Sequence, residues 1–146
     1  MAGTRRLLIV DDEEQITQLF TVFLRGEGYG VEGFTDPRVA LNRLEVGSVP
    51  DLIILDLMMP LLSGWDLLDS VRAHPRTAET PVILLTAAPQ WAQTEIPLRS
   101  LNHCILLGKP IALRDLLKHI ETMLPPRLDQ HPPRGTACYL RGYLLE

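Results

Sequence analysis

The amino-acid sequence predicts a three-layer α/β sandwich around a parallel sheet, on three observations. Four short apolar runs, at 7–10, 52–55, 82–85 and 105–107, do not alternate with polar residues and are bounded by polar residues or proline. Strands covered on both faces read this way. Between the runs the apolar spacing takes the period of a helix, so strands and helices alternate as βαβ units with right-handed crossovers. The length of 146 residues, 46% of them apolar and 22% charged, suits one globular domain with a sizeable core.

The first run, Leu7-Leu8-Ile9-Val10, is stopped at once by Asp11-Asp12-Glu13-Glu14. A helix follows, with Ile16, Leu19, Phe20, Phe23 and Leu24 as its expected inward stripe and Gly26 and Gly28 suited to a left-handed C-terminal cap. Residues 31–35 are more polar and carry a glycine, which places them at a sheet edge. Asp36-Pro37 offers an N-cap acceptor and a proline at the first helical position, opening a helix that buries Ala40, Leu41 and Leu44. After the second apolar run, Ser63 is placed to cap a helix with Leu67, Leu68 and Val71 inward, ending before Pro75. Between Pro89 and Leu101 the residues Trp91, Ile96, Leu98 and Leu101 make a poor stripe and Pro97 interrupts it, so a short or distorted helix is expected there. The last helix buries Leu113, Leu116, Leu117, Ile120 and Leu124 and stops at Pro125-Pro126.

Composition removes several classes of function. A formal charge of −4 offers phosphate backbones and anionic membranes no general attraction. Cys104 and Cys138 lie apart with no metal-ligand spacing, which argues against a disulfide scaffold or a zinc finger. His74, His103, His119 and His131 share no ligand spacing. The N-terminal apolar run is too short for a signal peptide, and the stretch 52–62 falls short of the ~20 residues of a membrane helix. A cytoplasmic location with reduced cysteines is the expectation.

In an open parallel sheet, ligands sit beyond the C-terminal strand ends. Asp11 and Asp12 follow the first strand, Asp56 ends the second apolar run, Thr86 ends the third, and Gly108-Lys109-Pro110 follows the fourth. Carboxylates gathered in one cleft repel one another unless a cation is present, and their oxygens favour a hard ion such as Mg²⁺, with Mn²⁺ as an alternative. Such a set can support phosphoryl chemistry, one carboxylate attacking phosphorus while the cation and the lysine neutralise the other oxygens. Taken singly, the acidic run also suits a helix start, Lys109 a surface amine and Thr86 a strand-end hydroxyl.

The joint pattern resembles the receiver domain of bacterial two-component response regulators. The resemblance covers roughly residues 5–124 and rests on the acidic pair, Asp-x-x-x-Pro at Asp56 to Pro60, Gly64, Thr86-Ala87 and Lys109-Pro110. The spacings are 44 residues from Asp12 to Asp56, 30 to Thr86 and 23 to Lys109. It implies a flavodoxin-like (βα)5 fold with strand order 2-1-3-4-5. Asp56 would accept a phosphoryl group from a histidine kinase or a phosphotransfer protein, and Asp11, Asp12, Asp56 and the Met58 backbone carbonyl would hold Mg²⁺. Lys109 would pair first with Asp56 and then with a phosphoryl oxygen. Thr86 would hydrogen-bond the phosphoryl group beside small Ala87, with the bond before Pro110 cis. A bulky Met58 would slow hydrolysis of the acyl phosphate. Phosphorylation would switch binding to a downstream protein target or output domain, with a phosphorylation-dependent homodimer as one form.

The pattern departs at Leu106, where family members commonly carry an aromatic switch residue, so output would depend on backbone movement over 87–101. Two other functions compete. A haloacid-dehalogenase-type phosphatase needs Asp-x-Asp, which Asp56-Leu57-Met58 lacks. A receiver-like interaction module independent of phosphorylation has no need of Asp12, Asp56, Thr86 and Lys109 together. The leading expectation is therefore a signalling phosphoacceptor and not a metabolic enzyme.

The receiver is expected to span 1–124, with 125–146 a Pro-rich tail or linker. Four of these last 22 residues are proline, and the formal charge turns from −5 before them to +1 within them. The tail is too short for a helix-turn-helix, so no direct nucleic-acid binding is expected of this chain. Its apolar end could dock on the domain, meet a partner or be artificial. The chain reads either as a stand-alone receiver or as part of a longer regulator or hybrid kinase.

Overall fold

Each predicted strand forms, within a residue of its expected bounds, in a computed structural model that describes residues 4–90 and 102–124. The order is β1 (Arg6–Val10), α1 (Glu14–Gly26), β2 (Gly30–Phe34), α2 (Pro37–Glu45), β3 (Leu52–Asp56), α3 (Gly64–Ala73), β4 (Val82–Thr86), β5 (Cys104–Gly108) and α4 (Leu113–Met123). All neighbouring strands are parallel, in the order β2-β1-β3-β4-β5. The C-terminal ends of β1, β3, β4 and β5 therefore lie along one rim. Residues 91–101, most of the segment in which a short helix is expected, and the tail from 125 lie outside the described residues.

The period of two in each strand divides the core into two faces. Leu8, Val10, Ile53, Leu55, Val82 and Leu84 pack with α2 and α3, while Leu7, Ile9, Leu52, Ile54, Ile83 and Leu85 pack with α1 and α4. β1, β3 and β4 are covered on both sides, as their unbroken apolar runs require. β5 differs: it is half-buried along its whole length, because it is the last strand of the sheet and not an inner one. At the other edge, the Arg25 guanidinium donates to the Val31 carbonyl at 2.8 Å, covering an outward-facing acceptor of β2.

Helix starts follow their sequence signals. Asp36 caps α2 through Arg38 N–H, and Ser63 and Asp66 form a reciprocal capping box at α3. In α1 the inward stripe is Thr17, Phe20 and Leu24, whereas Leu19 is half exposed. The rest of the expected stripe holds, since Ile16 and Phe23 pack against the same core, and Thr17 joins it beside the end of β1. Gly28 adopts φ +99° where the chain leaves α1. Trp65 is buried against the α2/α3 face.

Arg72, near the end of α3, ties the entrances of two strands together. It donates to the Thr80 carbonyl at 2.8 Å and to the Asn102 and His103 carbonyls at 2.8 and 3.1 Å. Val82 N–H also reaches the His103 carbonyl at 2.9 Å, so β4 and β5 start from one hydrogen-bonded junction. Arg72→Met keeps the apolar stem but removes these charged donors, and a loss of about 2 kcal/mol is expected. Urea denaturation would show a lower midpoint with an unchanged slope; an unchanged midpoint would mean that the junction holds without Arg72.

Candidate functional site

The rim gathers the residues that the sequence singles out. Where β1 ends, Asp11 is drawn inward and Asp12 is left exposed. Asp11 accepts from Glu13 N–H at 2.9 Å, and its own carbonyl accepts from the buried Thr17 hydroxyl at 2.9 Å. Thr17 is the participant that the sequence analysis missed; the available signal was a hydroxyl at i relative to Phe20 and Leu24 at i+3 and i+7. Asp56, the last residue of β3, is only 5% exposed and accepts from Met58 N–H at 3.3 Å. Carboxylate oxygens of Asp11, Asp12 and Asp56 lie within 4.8 Å of one another.

Lys109 enters this cluster from the end of β5. Its Nζ donates to Asp11 Oδ2 at 2.8 Å and stands 3.5 Å from Asp56 Oδ2. The expected pairing with Asp56 is thus secondary in this state, and Asp11 takes the short bond. The backbone holds Lys109 as well: its N–H donates to the Thr86 carbonyl at 2.7 Å, and the Lys109–Pro110 bond is cis. Pro110 itself is exposed. Thr86 is fully buried, and its Oγ1 accepts from Ala88 N–H at 3.1 Å, which leaves the hydroxyl proton to donate. Ala87 is exposed on the rim, and Leu106 is half-buried against the α2/α3 face.

Burial and the crowding of carboxylates set the electrostatics of the cluster. Burial, reinforced by the neighbouring Asp11 charge, pushes the Asp56 carboxyl up to about 6, against the opposing pull of Lys109 and Met58 N–H. Burial alone would lower the Lys109 ammonium; its hydrogen bond to Asp11 and the charges of Asp11 and Asp56 outweigh that and raise it. Three carboxylates against one lysine make a hard-oxygen donor set fitted to a divalent cation. Elsewhere, burial pushes the Cys104 thiol up to about 11, so it stays protonated and unreactive.

Gly64 closes the site from below. A Cβ at this position would stand 2.5 Å from the Asp56 carbonyl oxygen and 2.7 Å from Leu57 Cα, so only glycine lets α3 approach the acceptor loop. Among the described residues no helix is long and apolar enough to cross a membrane.

Comparison with known proteins agrees with this geometry. Residues 7–121 match the family described as "Response regulator receiver domain". The transcriptional regulatory protein GltR of Pseudomonas aeruginosa is 36% identical over 126 residues, covering 84% of this chain and 50% of that protein. The DNA-binding regulator RpaA of Synechocystis is 35% identical, covering 87% of this chain and 52% of that one. The chain therefore spans about half the length of the curated relatives it matches. Among solved structures, the chemotaxis response regulator CheY4 of Vibrio cholerae is 30% identical with a TM-score of 0.73, covering 84% of this chain and all of that one. The receiver domain of the sensor histidine kinase PA1611 of Pseudomonas aeruginosa, with magnesium coordinated in its active site cleft, is 25% identical with a TM-score of 0.73, covering 83% of this chain and 98% of that one. The fold, the acid cluster and the match over most of the chain place it in the response regulator receiver domain family of two-component signalling.

Proposed function

We propose that Asp56 is the phosphoacceptor of this receiver, with a histidine kinase or a phosphotransfer protein as donor. The observation that carries the reading is a nearly buried carboxylate at a strand end, flanked by two further acids and a lysine within 3.5 Å. An Asp56 oxygen attacks phosphorus, the bond from phosphorus to the donor nitrogen breaks, and the donor imidazole keeps the electron pair. Lys109, with donors directed at Asp11 and Asp56, is placed to neutralise an oxygen of the transferred group. Thr86 has a proton left to donate; moving toward the phosphoryl group, it draws Ala88 through their hydrogen bond and so couples phosphorylation to the chain after β4.

Asp11, Asp12, Asp56 and the Met58 carbonyl would hold Mg²⁺, with Mn²⁺ as a second ion of the same class. The cation, when bound, offsets the repulsion among the carboxylates and the charge of the incoming group. The chemistry is transfer to and hydrolysis from Asp56, a signalling cycle without turnover of a metabolite. A reading independent of phosphorylation leaves the assembled acids, Thr86 and Lys109 without a purpose. The receiver would end near residue 124 and 125–146 would act as a linker or tail, the output being a change in protein partner.

The test is intact mass after incubation with phosphoramidate. One phosphoryl group is expected with Mg²⁺ and none with excess chelator, and Asp12→Asn should need about tenfold more Mg²⁺ for the same labelling, about 1.4 kcal/mol of lost metal affinity. Labelling indifferent to both would remove the metal from the account.

A further inference from the structure

The loop between Asp56 and α3 carries a strained turn with an apolar tip. Leu62 N–H donates to the Pro60 carbonyl at 2.8 Å and Leu61 has φ +73°, which makes Leu61 the centre of a γ-turn of the rarer, strained hand. Glycine or asparagine would adopt that backbone more cheaply, asparagine through local side-chain bonds that leucine lacks. The Leu61 side chain is also 76% exposed, and Met58 on the same loop is 55% exposed. Backbone strain and solvent exposure both oppose a leucine here, and it gains no burial in return.

We propose that Leu61 and Met58 form an apolar docking tip for the protein that delivers the phosphoryl group. The inference rests on reading Asp56 as the acceptor. Its geometry follows from reach: Asp56 is buried, and a donor phosphorus must come within about 3 to 3.5 Å of its carboxylate, so the donor surface has to close over the surrounding rim. The Met58 backbone is bonded to Asp56 itself, and Leu61 stands three residues further along the same loop. A downstream partner has no such need to cover the acceptor. Charge gives the donor little attraction at close range, because Asp12, Glu13 and Glu14 on the rim are exposed acids and the phosphorylated histidine is anionic. An apolar contact beside the acceptor supplies attraction without that repulsion.

The experiment compares Leu61→Gly, Leu61→Asn and Leu61→Met in the full chain. The protein probe is the fastest donor to the wild type from a panel of radiolabelled, phosphorylated kinase cores and phosphotransfer domains; the small-molecule probe is phosphoramidate. Leu61→Gly and Leu61→Asn should melt about 3 °C higher through relieved strain and keep the wild-type phosphoramidate rate. Both should accept from the protein donor about tenfold more slowly at subsaturating donor, the loss of roughly one apolar contact. Leu61→Met should retain the wild-type protein-donor rate. An unchanged protein-donor rate in Leu61→Gly overturns the proposal, as does an equal loss with both donors, or a panel in which no donor labels a chain that phosphoramidate does label. Failure of phosphoramidate to label the wild type would instead overturn the acceptor reading beneath it.

Discussion

Asp56→Asn is expected to stabilise the metal-free protein at pH 7 by about 2 to 3 kcal/mol. The Asp56 carboxyl titrates near 6 in the folded chain, above the ordinary aspartate value that it regains on unfolding. Between those two values the folded state binds more protons than the unfolded one, so stability falls as pH rises through the window from about 4 to 6. Above it the whole penalty applies, and removing the charge recovers it. The wild type should therefore gain stability on acidification from pH 7 to 5, whereas the asparagine variant should lack that component. Mg²⁺ should close the gap from the other side, stabilising the wild type more than the variant. Denaturant midpoints at pH 5 and 7 measure this; a variant less stable than the wild type at pH 7 would mean that Lys109 and the Met58 N–H outweigh burial and the Asp11 charge.

Gly64→Ala should destabilise the fold by about 3 kcal/mol, the upper part of the range for overpacking. The added carbon would meet the Asp56 carbonyl oxygen at 2.5 Å and Leu57 Cα at 2.7 Å, both backbone, with no flexible side chain to yield. Relief requires α3 or the loop after β3 to shift. Either movement displaces the Asp56 carboxylate relative to Lys109, so the phosphoramidate rate should fall even where the variant is fully folded. A folded variant with wild-type stability and rate would show that the loop yields freely.

The fold was legible because β1, β3 and β4 are buried on both faces and so read as unbroken apolar runs. β5 looks the same in sequence yet is half-buried, since an apolar run records composition and not position in the sheet. In α1, Ile16, Phe20, Phe23 and Leu24 face the core as their spacing predicts, whereas Leu19 is half exposed and Thr17 is buried with its hydroxyl on the Asp11 carbonyl, a polar contact that apolar periodicity does not record. That Asp11, Asp12, Asp56, Thr86 and Lys109 share one rim was legible because strand ends converge there, which order along the chain is enough to reveal. Pairing within the rim was not legible. Lys109 prefers Asp11 at 2.8 Å over Asp56 at 3.5 Å, a choice set by side-chain reach and burial. The turn at Leu61 was hidden for another reason, because leucine is not a residue that signals a positive φ.

The most direct test of the account is the intact mass of the wild type and of Asp56→Asn after incubation with Mg²⁺ and phosphoramidate. The account predicts one phosphoryl group on the wild type and none on the folded variant. An equal adduct on both would move the acceptor to another residue, and no adduct on either would contradict the assignment of phosphoryl chemistry to this rim.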